Sequence, residues 1–87
     1  MIAEEPACRF EITPELAKSL KQILHSKLGQ YTNNWTSSPR IIYYRTFASL
    51  IYREKRGAGK EIVDGSDLVI DVDVCTRKII RADFSPT

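Results

Sequence analysis

Chemistry in this 87-residue chain would have to come from one histidine, His25, two cysteines, Cys8 and Cys75, and a closely spaced carboxylate pair, Asp71 and Asp73. Catalysis asks for a nucleophile beside a base, for carboxylates in unequal environments, or for a metal shell. His25 falls on the polar side of a helical segment, where Ser19 and Ser26 belong to the same segment and cannot serve it as partners, so it reads as a solvated surface histidine. Cys8 and Cys75 lack CxxC spacing, and a zinc shell drawn from them and His25 matches no usual ligand pattern.

Asp71 and Asp73 would point the same way from one strand, roughly 7 Å apart, a placement that suits a two-carboxylate cation site. Alternating aspartates on a wet strand face also protect an edge and can meet Arg81 across a hairpin, and that inert role is the expectation. Gly57-Ala58-Gly59-Lys60 invites comparison with a phosphate loop. It fails because the GxxxxGK[ST] spacing is not met, Glu61 stands where Ser or Thr belongs, and the segment would end a helix instead of following a strand. We therefore expect no catalytic residue, no metal and no cofactor.

The net charge of +2 is a near-cancellation. Residues 16–60 carry Lys18, Lys21, Lys27, Arg40, Arg45, Arg53, Lys55, Arg56 and Lys60 against Glu54, a block of +8. Residues 61–76 carry Glu61, Asp64, Asp67, Asp71 and Asp73 and no base, a block of −5. Such segregation is an argument about partners and association. Two cysteines allow one bridge at most, far from the density of small secreted scaffolds, so reduced thiols are expected. The acidic N-terminus lacks the apolar core of a signal peptide, and the apolar run Ile41 to Tyr52, broken by Arg45, is shorter than the ~20 residues of a membrane span. The expectation is a cytoplasmic, intracellular protein with no membrane partner.

The elements that would carry these residues are set by periodicity. Thr13-Pro14-Glu15 has the order of a helix start, with a hydroxyl at N-cap, proline at N1 and a carboxylate near the positive end of the dipole. Leu16, Leu20, Ile23, Leu24 and Leu28 form an apolar stripe at helical spacing and Gly29 supplies the stop, so a helix is expected over 14–28 with Lys18, Lys21, Gln22 and His25 on its wet side. Gln30 to Ser38 is a polar connector whose Trp35 staples it to the core. Residues 38–56 are ambiguous. Ile41, Ile42, Tyr43, Tyr44, Thr46 and Phe47 favour a strand by propensity, yet at 100° per residue Arg45, Thr46, Ser49, Arg53 and Arg56 gather on one arc, with Ser38-Pro39 and Gly57 as cap residues. That pattern predicts a second helix over 38–56, with a long bent strand as the rival.

From Lys60 onward the chain turns to strand. Glu61 to Val63 is a short candidate and Asp64-Gly65-Ser66 a turn. Leu68, Ile70, Val72 and Val74 alternate with Val69, Asp71 and Asp73, and a loop at Cys75-Thr76-Arg77 would set Leu68 opposite Phe84, Ile70 opposite Ala82, Val72 opposite Ile80 and Asp71 opposite Arg81. The expected architecture is α+β, a single small domain over 1–87 with loose tails at 1–8 and 85–87. Two helices, at about 14–28 and 38–56, pack on a C-terminal antiparallel hairpin of strands at about 67–74 and 78–84, with Arg9 to Ile12 as a further short edge strand over 9–12.

Two binding surfaces follow. Tyr43, Tyr44, Phe47 and Tyr52 give the second helix more aromatic area than so small a sheet covers, which favours a protein partner or a homodimer. The expected function is accordingly a non-catalytic, self-associating interaction module that binds an acidic or other protein partner through its helical faces. The alternative is a sequence-independent nucleic-acid-binding protein that uses Lys18, Lys21, Arg45 and Arg53 on the helical faces with the basic corner of Lys55, Arg56 and Lys60.

Overall fold

In the computed structural model, residues 4–29, 35, 38–53 and 67–85 are described. One helix is followed by four strands. Helix α1 spans Pro14–Leu28 as its sequence dictates: the Thr13 Oγ1 accepts the Leu16 N–H at 3.2 Å, proline opens the first turn, and Gly29 at φ 56 donates its N–H to the His25 carbonyl. That positive φ is where glycine avoids the Cβ penalty. Leu16, Leu20 and Leu28 are buried on one side of α1, each contributing roughly 1.5–3 kcal/mol.

Residues 38–56 do not form the expected second helix. They make β1 (Arg40–Tyr43), a tight turn at Arg45 and Thr46 closed by the Tyr44 N–H on the Phe47 carbonyl, and β2 (Phe47–Tyr52). The physical reason lies in the arithmetic that suggested the helix. Arg45, Ser49 and Arg53 are four residues apart, a spacing that keeps side chains together on a helix and equally on one face of a strand. Their β-branched and aromatic neighbours then decide the outcome once two more strands are available to pair with.

Strands β3 (Asp67–Asp73) and β4 (Ile79–Ser85) complete an antiparallel sheet in the order β1-β2-β3-β4. The fold is therefore a small α+β domain of one helix on a four-stranded meander. Leu68↔Phe84, Ile70↔Ala82 and Asp71↔Arg81 pair as expected. A bulge between Asp71 and Val72 shifts the rest, so Val72 faces Ile79, not Ile80, and Ile80 becomes the extra residue. The turn after β3 places Arg77 at φ 61, and Asp73 Oδ1 accepts the N–H groups of Cys75 and Thr76 at 2.8 Å each.

The core lies between α1 and one side of the sheet. Ala48, Leu50, Leu68, Ile70, Val72 and Val74 have no exposed surface, Tyr52 is nearly as buried, and Trp35 joins them with its ring edge-on to Phe84 at 6.1 Å. Trp35 is thus part of the core, as expected.

Residues 9–13 form no strand, which removes the expected edge strand over 9–12. The edge of β1 is met slightly earlier in the chain instead: Glu4 donates its N–H to the Tyr43 carbonyl, Ala7 donates to the Arg45 carbonyl, and the Glu4 carboxylate accepts the Arg45 N–H. Immediately after this contact Cys8 is joined to Cys75 in a disulfide, with Cα atoms 5.2 Å apart, which corrects the expectation of reduced thiols. Two cysteines 67 residues apart leave no local signature in sequence, because only the sheet brings the turn after β3 beside the chain's beginning.

Candidate interaction surface

Since Ala48, Leu50 and Tyr52 face α1, alternation sends Phe47, Ser49, Ile51 and Arg53 to the other side of β2. Register extends this second face across the sheet. Ile42, Ser49, Asp71 and Arg81 form one cross-strand row, and Arg40, Ile51, Val69 and Asp83 the next. No described element covers this face. Ile42, Tyr44, Phe47, Ile51 and Val69 are partly buried there, and the rings of Tyr44 and Phe47 stack at 4.6 Å.

At the centre of the face the Ser49 hydroxyl donates to Asp71 Oδ1 at 2.6 Å, and Asp71 Oδ2 lies 3.5 Å from Arg81 Nη2. Ser49 and Asp71 are each only 9% exposed, so the carboxylate is held by a neutral donor on one oxygen and a cation on the other. Arg53 and Asp67 make a second ion pair at 3.5 Å near the end of β2. The serine is bonded directly to the carboxylate, and the chain's one histidine, His25, lies on α1.

Asp71 and Asp73 diverge in role. Asp73 turns its carboxylate onto the backbone of the following turn, where the N–H groups of Thr76 and Cys75 hold its carboxyl below the usual range. Among the described residues no cluster of three or more His, Cys, Asp or Glu side chains could hold a metal ion.

The aromatic group expected on one helix face is divided by the strands. Tyr52 is buried in the core, Tyr43 faces the helix side with its ring edge-on to Phe10 at 6.2 Å, and Tyr44 and Phe47 stack on the opposite face. The cations are divided as well. Lys18 and Lys21 are exposed on α1, where with Gln22 and His25 they line a shallow depression of about 490 Å³. Arg45 sits in the β1–β2 turn, and Arg53 follows β2 at its other end, roughly 25 Å away along the strand. Lys55, Arg56 and Lys60 lie outside the described residues, as do the candidates at 57–60, 61–63 and 64–66.

Sequence reasoning missed Ser49 as the partner of Asp71. The signal that could have found it is strand parity, which puts 45, 47, 49, 51 and 53 on one face as soon as 38–56 is read as a hairpin. No helix among the described residues is long and apolar enough to cross a membrane. Comparison with family models, with curated proteins and with solved structures gave no match.

Proposed function

We propose that the protein is a small non-catalytic interaction module that self-associates and takes protein, not nucleic acid, as its partner. The observation that carries this reading is the mixed charge of the sheet face turned away from α1, where Arg40, Arg53 and Arg81 alternate with Asp67, Asp71 and Asp83 among Ile42, Tyr44, Phe47, Ile51 and Val69. A surface carrying both signs within an apolar frame is complementary to another protein surface, its own copy included. A polyanion needs cations of one sign side by side, and the described cations are dispersed over the two layers. Among the described candidates Lys18 and Lys21 share one surface, and those two would neutralise about two phosphates.

The Cys8–Cys75 bridge supports an oxidising compartment over the cytoplasm, where such a bond is kept reduced. Sedimentation equilibrium over a wide concentration range tests the reading, alongside titration with random-sequence DNA and RNA at low salt. A reversible dimer with no salt-dependent nucleic-acid binding is expected. A strict monomer at the highest concentration, or tight binding to either nucleic acid, contradicts it.

A further inference from the structure

The geometry points to β4 as the dimer edge: two copies join antiparallel through Ile79–Ser85 about a two-fold axis at Ala82, making one continuous eight-stranded sheet. This inference rests on the self-association proposed above and names its surface. The two edges of the sheet are unequal. The last residue of β1, Tyr43, accepts the Glu4 N–H, the following turn accepts the Ala7 N–H at Arg45, and the adjoining Cys8–Cys75 disulfide pins this segment, whereas β4 ends the strand order and, among the described residues, residues 79–85 make no backbone hydrogen bond outside the sheet. An unpaired edge strand is a template for another chain.

The side chains of β4 fit a copy of themselves. Of three exposed large apolar residues among those described, Ile80 at 58% and Phe84 at 37% lie on this strand, and Ile12 at 40% precedes α1. A two-fold axis normal to the sheet keeps like faces together, so it must pass through a residue position. Centred on Ala82, it sets Arg81 opposite Asp83 of the partner subunit and Ile80 opposite Phe84 of the partner subunit, each pair occurring twice. Centred one residue away in either direction, it would set Arg81 or Asp83 against its own copy. Charge therefore selects the Ala82 register, and alanine at the axis leaves room for the strands to close.

The neighbouring groups support the same arrangement. Arg81 already leans on Asp71 at 3.5 Å through one of its terminal nitrogens and keeps further donors for a second carboxylate. The bulge at Ile80 bends the start of the strand and leaves Arg81–Asp83, the residues about the axis, regular for pairing. With the N-terminal segment tied to the Tyr43 end of β1, pairing of β4 with β4 about a two-fold axis closes at two copies.

The test combines charge, surface and proximity in the full-length oxidised protein. Asp83→Arg places arginine against the partner's Arg81, and Ile80→Lys places a cation against the partner's Phe84. Each should raise the dimer dissociation constant by roughly tenfold or more while the circular dichroism spectrum is unchanged. Ala82→Cys should form an intersubunit disulfide in mild oxidant because the two positions face each other, whereas Lys18→Cys on α1 should not. A wild-type dimer that neither substitution weakens and that Ala82→Cys does not cross-link overturns the β4 edge and leaves self-association standing. A wild-type monomer overturns both.

Discussion

The Ser49 hydroxyl donates a 2.6 Å hydrogen bond to Asp71 Oδ1 across the β2–β3 pair, on the face of the sheet turned away from the helix and only 9% exposed at either residue. The bond holds a carboxylate within the cross-strand row Ile42, Ser49, Asp71 and Arg81, and Arg81 holds its other oxygen toward the β4 edge. Polar groups buried this far must be satisfied, so Ser49, Asp71 and Arg81 act as one unit.

Ser49→Ala removes the neutral donor and leaves a nearly buried carboxylate oxygen without its partner. We expect a loss of about 1–3 kcal/mol in chemical denaturation. Ser49→Val combined with Asp71→Val, which removes both buried groups and restores strand-forming side chains, should cost less than the sum of the two single changes. Strict additivity would mean that the two side chains are energetically independent.

Leu50 and Ile70 face each other at the centre of the helix-side layer with no exposed surface. Leu50→Ala or Ile70→Ala should each destabilise the fold by about 2–5 kcal/mol. For a domain of this size that is a large part of the total stability, so thermal melts should show a marked drop. Ile42→Ala, on the face turned away from α1, should cost far less.

How much of this was legible in sequence follows from which signals are local. The Thr13-Pro14 start, the leucine spacing and Gly29 are self-contained within α1, and its ends emerge at 14–28 as expected. The β3–β4 hairpin was legible because Leu68, Ile70 and Val72 alternate cleanly with Val69, Asp71 and Asp73, except that nothing in the sequence announced the bulge at Ile80. The β1–β2 hairpin was not, because its turn at Arg45 and Thr46 carries no glycine, asparagine or proline, while Ser38-Pro39 imitates a helix start. The Ser49–Asp71 bridge and the disulfide are products of strand pairing and have no trace in local spacing.

The disulfide closes a loop of 67 residues, and its reduction, or Cys8→Ser with Cys75→Ser, should cost about 2–4 kcal/mol of stability through the greater freedom of the unfolded chain. The same change releases the segment tied to the Tyr43 end of β1. Species larger than a dimer should then appear by light scattering under reducing conditions and be absent in the oxidised protein. Unchanged size and melting behaviour on reduction would argue against the strap.

Two groups contribute a pH dependence to stability. The Asp73 carboxyl is held below its usual 3.8 by the N–H groups of Thr76 and Cys75, so the stabilisation it gives is complete above 3.8 and is lost as pH falls through its lowered value. Tyr52 shifts the other way. Burial holds its phenol neutral and raises it above 10.0, so its contribution is complete below 10.0 and is lost as pH rises through the raised value. Denaturation midpoints for Asp73→Ala and Tyr52→Phe should show a shallower acid limb and a shallower alkaline limb respectively.

Arg77 stands at φ 61, a conformation that disfavours a side chain and suits glycine. Arg77→Gly should therefore be neutral or stabilising by up to about 1 kcal/mol, despite glycine's greater freedom in the unfolded chain. A loss of stability would show that the Arg77 side chain does more in the turn than its backbone angle costs.

Amide hydrogen exchange along β4, followed by NMR at low and high protein concentration, tests the central claim most directly. The outward N–H groups between Ile79 and Ser85 are predicted to exchange quickly in dilute protein and to gain protection as concentration rises, while Leu50 and Ile70 in the sheet interior stay protected throughout. Exchange along β4 that does not change with concentration, in a sample whose size does, would contradict it.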